Sequence, residues 1–124
     1  MADVMRAVNR TRGTVLCARI ESADGMAGKA RGLLGRAGLE HGRGMLFEAG
    51  PLQPFMWMHM FFMRFAIDIV FLDRGGKVLR INHRLRPWRV SSIVPGARRA
   101  LELAAGEAAA SGTEPGDQID FEPA

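Results

Sequence analysis

The chain has 124 residues, of which 48% are hydrophobic and 24% are charged, with a formal net charge of +4. This length and composition are typical of one globular domain and exclude a disordered chain. The single cysteine, Cys17, excludes an internal disulfide, and its setting in TVLCARI predicts a small buried core residue. No stretch has the apolar length of a signal peptide or a membrane span, so we expect a cytoplasmic protein.

Basic residues are concentrated in the middle of the chain and acidic residues near its end. Residues 64–89 hold seven basic residues against two aspartates, a net charge of +5, whereas residues 107–124 hold five acids and no base. A basic segment can bind nucleic acid or an acidic small molecule, or it can form a solvated face over which the acidic tail folds back. The aromatic residues lie in an apolar run and tyrosine is absent, which argues against nucleic acid as the partner.

The first half of the chain is predicted from its hydrophobic pattern and its turn residues. Residues 1–13 are predicted to form an N-terminal tail, and residues 14–122 a single β-rich domain. TVLCARIE at 14–21 predicts the first strand, because it is short and rich in apolar residues. MAGKARGLL at 26–34 predicts a helix that depends on packing, and MLF at 45–47 a second strand.

A β-hairpin is the clearest local prediction. Residues 66–73 and 77–85 are apolar, partly β-branched runs, and RGG between them places Gly76 at a left-handed bulge position. With Asp73 opposite Lys77, the predicted register pairs Leu72 with Val78. It continues without a bulge, so that Phe71 pairs with Leu79 and Ile69 with Ile81. Side chains alternate along a strand. The predicted core face is therefore Ile67, Ile69, Phe71, Leu79, Ile81 and His83, and the opposite face carries Asp68, Val70, Leu72, Val78, Arg80, Asn82 and Arg84.

The last third of the chain contains three further candidate elements. GARRALELAAG at 96–106 is compatible with a helix or with a turn followed by a strand, and EAAASG at 107–112 predicts a short helical turn. QIDF at 118–121 predicts a final alternating strand after the turn EPGD. Several short strands with brief helices favour a mainly β fold, a compact antiparallel β-sandwich or barrel.

Motifs of the large enzyme classes are absent. The sequence has no glycine-rich phosphate loop, no HExxH, no CxxC and no serine flanked by glycines. The histidines His41, His59 and His83 are widely spaced, without a ligand pair at diagnostic spacing. We therefore predict no metal and no cofactor, with a folded site of two histidines and Asp68 as the lesser alternative.

Asp68 lies inside the apolar stretch AIDIVFL, so its carboxylate is expected to be at least half buried and to need a partner. One interpretation is structural: it forms a charge pair with Arg64, Arg80 or Arg84, or accepts a hydrogen bond from Asn82. The other is functional, because ionisable groups in unusual environments collect at sites. An aspartate beside arginine would stay ionised and orient a ligand.

The run FMWMHMFFMRF at 55–65 also has two interpretations. Its methionines and aromatic residues can fill irregular gaps in the core. Alternatively, four methionines with Trp57 can form an exposed apolar groove for a peptide or a lipid. Burial in the core is favoured, because soluble monomers rarely expose an apolar patch of that size.

Four segments together resemble one protein family: GLLGRAGLEHGRGMLF, HMFFMRFAIDIVFLDRGGKVLRI, LRPW and LELAAG…PGDQIDF. The chain resembles domain of unknown function family 192 over residues 14–122, and most of all the subgroup whose central run reads roughly IHTFFMRFPIDVVFLD. The resemblance implies a mainly antiparallel, jelly-roll-like β fold with short helices and no established activity. The matching positions are Gly32, Leu33, Gly35, Arg36, Gly44, Met45, His59, Phe62, Met63, Asp68, Pro87, Gly106, Gly116 and Asp117.

The leading hypothesis is a non-enzymatic β domain that binds an anionic or polar ligand, or a partner segment, in a pocket beside the hairpin. Arginines would supply the charge and a tryptophan a flat apolar wall. The rival hypotheses are an enzyme that uses His59 as a base or metal ligand, and an interaction module that uses the Met/Phe-rich run. The predicted ligand-binding residues are His59, Arg64, Asp68, Arg80, Arg84 and Trp88.

Overall fold

The computed structural model describes residues 4–22 and 38–124, which fold mainly as β-strands. The prediction of a mainly β protein with brief helices is confirmed. The predicted helix at 26–34 lies outside the described residues. The elements in chain order are β1 (Met5–Asn9), β2 (Thr14–Ser22), β3 (Arg43–Glu48), β4 (Phe55–Met56), β5 (Ile67–Leu72), β6 (Val78–Leu85), β7 (Val94–Pro95), β8 (Arg99–Ala104), helix α1 (Glu107–Ala110) and β9 (Ile119–Pro123).

Seven strands form one mixed sheet in the order β6-β5-β8-β3-β2-β1-β9, and β4 pairs with β7 in a separate two-stranded sheet. Neighbours in the large sheet are antiparallel except β2 and β3, which run parallel. The ambiguous segment at 96–106 contains β8, which lies between β5 and β3. Pairing on both sides decides this choice, because every β8 residue from Arg99 to Leu103 pairs with both β3 and β5, and five of the six β8 residues are buried.

Strand β5 lies near the centre of the fold, and all six of its residues are buried. Its side chains alternate between two apolar clusters, one on each face of the sheet. The first cluster includes Ile67, Ile69 and Phe71 together with the methionines of the 55–65 run. The second includes Val70 and Leu72, which pack with residues of β1, β2 and β8. Both faces of the hairpin strand are therefore core, which alternation alone did not indicate.

The predicted hairpin between β5 and β6 is present, but its register is only partly as predicted. Leu72 pairs with Val78 as expected, whereas Phe71 pairs with Arg80 and Ile69 with Asn82, so β6 is shifted by one residue after the first pair. A second irregularity follows between Ile67 and Ile69. Leu79 packs against the cluster of Phe71 as predicted. Because a shift of one residue exchanges the two faces of a strand, the predicted core face is wrong for the later residues of β6: Ile81 packs with Val70, and His83 is exposed.

Residues at the start of the chain form an integral part of the sheet. Met5–Asn9, which the sequence placed in an N-terminal tail, is strand β1, paired with β2 on one side and with β9 on the other. The pattern MRAVN is too short and too mixed in polarity to stand out as a strand. Its stability comes from neighbours that are remote in sequence.

Cys17 is buried on β2, as predicted, with 1% of its surface exposed. Its thiol contacts the backbone carbonyl oxygen of Arg19 at 3.3 Å. Burial raises the pKa of this thiol to about 11. The thiol therefore stays protonated at neutral pH, which is the behaviour of a structural cysteine.

Candidate binding surface

A two-stranded ribbon covers the first apolar cluster and is apolar on both of its faces. Its first segment is 55–60 and its second is 88–95. The two segments are joined by the pairing of β4 with β7 and by a bridge between His59 and Val90. The Ser91 amide also donates to the Met58 carbonyl oxygen at 2.8 Å. Met56 and Met60 point inward and are buried, whereas Phe55, Trp57 and His59 alternate with them and are exposed. The methionines therefore belong to the core, and the aromatic side chains form an exposed outer face.

The outer face carries a continuous chain of ring contacts. Ring centroids are 6.4 Å apart between Trp57 and His59, and 5.0 Å apart between His59 and Phe61, whose rings are stacked. The chain continues from Phe61 to Trp88 at 6.1 Å, and Trp88 contacts Phe62 at 4.8 Å. We call these five residues the aromatic face. Two of the predicted site residues, His59 and Trp88, are joined by it.

Phe62 and Trp88 both have a left-handed backbone conformation, with φ of 64° and 65°. This conformation is strained for a bulky residue, at a cost of order 1–3 kcal/mol each. Hydrogen bonds hold the two segments in place: the Trp88 amide donates to the carbonyl oxygen of Met60, and the Met60 amide donates to that of Arg89, both at 2.7 Å. The backbone thus keeps two large rings on the surface, 68% and 59% exposed.

His59 is fixed by a contact within its own turn. The Phe61 amide donates to Nδ1 of His59 at 3.2 Å, so the neutral ring carries its hydrogen on Nε2. A general base needs a free unprotonated nitrogen, and here that nitrogen already accepts a hydrogen bond. His59 is better suited to donate from Nε2 to an acceptor on a ligand.

Asp68 is fully buried, and its partners are backbone amides. Oδ1 accepts from the Arg84 amide at 2.8 Å, and Oδ2 accepts from the amides of Gly106 and Ala108 at 3.1 and 3.0 Å. Across the described residues, no guanidinium lies within ion-pair distance of this carboxylate, so the predicted pairing with an arginine side chain is wrong. Asp68 instead fixes the end of β6 and the start of α1, a structural role.

The acidic end of the chain pairs with the beginning of the chain, and not with the basic segment. Its carboxylates bind arginines in β1 and just after it: Glu122 binds Arg6, Asp120 binds Arg10, and Glu114 and Asp117 bind Arg12. Glu107 contacts His41 at 2.7 Å. The hydrogen bond from Arg12 lowers the pKa of Asp117 to about 2.

Among the residues that the structure describes, the arginines around the hairpin and the ribbon have no acidic partners. In the described parts of the chain, no carboxylate lies within 4.0 Å of five exposed side chains, Arg64, Arg80, Arg84, Arg86 and Arg89. Arg64, Arg86 and Arg89 lie within two positions of aromatic-face residues in sequence. Arg84 extends toward Gly106, where its Nη2 lies 3.0 Å from the position a Cβ would occupy.

Glu102 is a buried carboxylate that the sequence analysis did not single out. It lies on β8 between Met45 and Ile69, 5% exposed, and burial raises its pKa to about 8. The sequence signal was present, since Glu102 interrupts the apolar strand LEL. A carboxyl group this deeply buried is closed to a substrate, so we assign it to the core.

No group of three His, Cys, Asp or Glu side chains is placed to hold a metal ion within residues 4–22 and 38–124. His59, the histidine proposed as a metal ligand, has Trp57 and Phe61 as ring neighbours. No helix in the described part of the chain is long and apolar enough to cross a membrane.

The sequence profile of DUF192, described as uncharacterized ACR, matches residues 7–121. The chain belongs to this family. A UPF0127 protein of Thermococcus sibiricus is 31% identical over 115 residues, which are 93% of this chain and 73% of the relative. The UPF0127 protein of Thermococcus gammatolerans is 29% identical over 117 residues, with 93% and 74% coverage. The resemblance expected from the sequence is therefore confirmed, and the DUF192 family itself is uncharacterised.

Two solved structures share the DUF192 fold. A protein of unknown function from Novosphingobium aromaticivorans superimposes with a TM-score of 0.77 at 27% identity, covering 94% of this chain and 83% of that one. A protein of Sinorhizobium meliloti described as a "putative transcription regulator" gives a TM-score of 0.80 at 24% identity, covering 96% and 92%. The second likeness is one of fold alone.

Proposed function

We propose that this DUF192 protein is a non-enzymatic binding domain, and that the aromatic face and its arginines bind an anionic partner. One observation supports this most strongly. A surface chain of five rings is flanked in sequence by three exposed arginines, Arg64, Arg86 and Arg89, that lack acidic partners among the described residues. Exposed aromatic residues and arginine are the side chains that contribute most to binding energy at interfaces.

Each part of the surface has a separate task in this proposal. The arginines attract the anionic group and determine the salt dependence of binding. The rings supply apolar contact at low entropic cost, because they are already fixed by the backbone and by one another. Asp68 acts from the interior, since its three backbone hydrogen bonds hold the end of β6 from which the arginine-rich segment 84–89 continues.

Tryptophan fluorescence tests the proposal directly, because Trp57 and Trp88 are the only tryptophans and both belong to the aromatic face. We expect poly-L-glutamate to change their emission saturably and poly-L-lysine to leave it unchanged. Added salt should weaken binding, because it screens exposed charges. Equal responses to both polymers would contradict the proposal.

Two variants and one control localise the binding. Trp88→Asn removes the ring but tolerates the left-handed backbone, and should weaken poly-L-glutamate binding at least about tenfold. Arg89→Glu should weaken it several-fold, whereas Arg19→Glu makes the same charge change on β2, outside the ribbon, and should have little effect. Equal losses in Arg89→Glu and Arg19→Glu would mean that only net charge matters.

A further inference from the structure

We propose that the anionic partner is the surface of a lipid bilayer, on which the outer face of the ribbon rests as a peripheral anchor. This inference depends on the proposed function and adds the identity of the partner. It is supported by the distribution of exposed apolar side chains, by the distribution of charge, and by the fixed backbone of the face.

Exposed apolar side chains are concentrated on the ribbon and the loop before it. The described part of the chain exposes ten large hydrophobic side chains, and eight of them come from residues 52–62 and 88–93. Alternation and strand pairing place Phe55, Trp57, Val90 and Ile93 on the same outer side as the rings. Three of the eight, Leu52, Val90 and Ile93, are aliphatic and 96%, 53% and 65% exposed. Aliphatic groups have no face on which a base could stack, so a broad apolar medium fits them better than a nucleic acid.

The charge around these side chains has one sign. Residues 49–67 and 84–97, which carry these side chains, contain no aspartate or glutamate and four arginines, Arg64, Arg84, Arg86 and Arg89. A basic cluster beside apolar side chains matches an anionic leaflet, where each lysine or arginine near the surface strengthens binding about fivefold. Tryptophan and phenylalanine are the residues that favour the boundary between headgroups and acyl chains.

The fixed backbone of the region also favours an extended surface. Two clefts among the described residues lie away from it: one of about 420 Å³ is lined by Arg10, Arg74, Arg99 and Asp120 among others, and a second adjoins Glu48. The rings of the aromatic face instead pack against one another and project outward. Because Phe62 and Trp88 are held by the left-handed backbone, the face can insert without first ordering a loop.

Vesicle flotation tests the inference with the full chain. The probes are vesicles of phosphatidylcholine alone and of equal parts phosphatidylcholine and phosphatidylglycerol. We expect the protein to float with the mixed vesicles and to stay at the bottom with phosphatidylcholine alone. Tryptophan emission should shift to shorter wavelength on the mixed vesicles, and lipids brominated in their acyl chains should quench it, because both tryptophans enter the interface.

Variants separate insertion from simple charge attraction. The double variant Phe62→Asn with Trp88→Asn should reduce partitioning at least about tenfold, since two large apolar side chains are lost. Arg89→Glu should reduce it at least about tenfold and Arg19→Glu only slightly. Val15→Asn, at an equally exposed apolar position on β2, is the matched control and should float like the parent. Circular dichroism would confirm that each variant is folded.

The possible failures are distinguishable. Flotation without a spectral shift, or flotation unchanged in the double variant, would overturn the bilayer inference. No flotation combined with intact poly-L-glutamate binding would also overturn it, but would leave the proposed function standing and direct attention to an acidic protein. If the folded parent protein neither floats with the mixed vesicles nor binds poly-L-glutamate, both proposals are refuted.

Discussion

Replacing Asp68 by asparagine should destabilise the fold strongly, although the two side chains have nearly the same shape. The carboxylate accepts three backbone hydrogen bonds, one on Oδ1 and two on Oδ2. The amide of asparagine keeps one oxygen, so its best orientation retains the bonds from Gly106 and Ala108 and turns its NH₂ group toward the Arg84 amide. The charge-assisted hydrogen bond from the Arg84 amide, about 1.5–3 kcal/mol, is then lost. The NH₂ group and the Arg84 N–H are both donors and face each other without an acceptor, which adds a cost of about 1–3 kcal/mol. We therefore expect a loss of about 3–5 kcal/mol.

Asp73 provides a matched control for this prediction. Its Oδ1 alone accepts from the amides of Gly75 and Lys77, both at 2.9 Å, in an exposed turn. Asparagine can keep both bonds, so Asp73→Asn should cost at most about 1 kcal/mol. Urea denaturation at neutral pH would measure the two free energies of unfolding. Equal losses in the two variants would refute the structural role assigned to Asp68.

Three further variants test other parts of the structure. Burial raises the pKa of Glu102 to about 8, so the folded state holds a proton that the unfolded state releases above its ordinary pKa of 4.5. The free energy of unfolding of the parent therefore falls as pH rises between those two values. Glutamine does not titrate, so the free energy of unfolding of Glu102→Gln should rise relative to that of the parent by at most about 1.4 kcal/mol per pH unit from about pH 5 to about pH 8. A difference between the two proteins in urea denaturation that stays constant with pH would contradict this. Phe62→Gly should relieve the left-handed backbone strain, so its free energy of unfolding should equal that of the parent or exceed it by about 1 kcal/mol, while poly-L-glutamate binding falls. A large drop in melting temperature would contradict this. Gly76→Ala should unfold or strongly destabilise the protein, because φ is +89° and the new Cβ would meet the Ile119 carbonyl oxygen; a thermal melt like that of the parent would show that the turn relaxes.

Local patterns in the sequence predicted most of the strands but only one of their pairings. The turn RGG and the flanking β-branched runs indicated the β5–β6 hairpin, because both signals are local. The one-residue shift after Leu72–Val78 was not predictable, since Leu79 and Ile81 are both apolar and either can face a core. Strand β1 was missed for a related reason, because its partners β2 and β9 determine its conformation.

The candidate surface was only partly foreseen. His59 and Trp88 were both predicted as site residues, and ring contacts join them on one surface through Phe61, while their binding role stays a prediction. Phe61 and Phe62 were expected to be core because apolar side chains usually are. Their exposure depends on the left-handed turn at Phe62 and on the segment near Trp88, which meet only in the folded chain. The same limit applies to Asp68, whose donors at Gly106 and Ala108 are about forty positions away in sequence.

The pairing of β1 with β9 has a consequence for how the chain acquires its structure. Arg6 and Glu122, which join these strands, are 116 positions apart. During synthesis on the ribosome, β1 emerges more than a hundred residues before its outer partner β9. Contacts at such separation slow folding, because the intervening loop must close first. Until then one edge of β1 and its arginines are open to other strands, so a nascent chain held at this stage would be the form most exposed to aggregation.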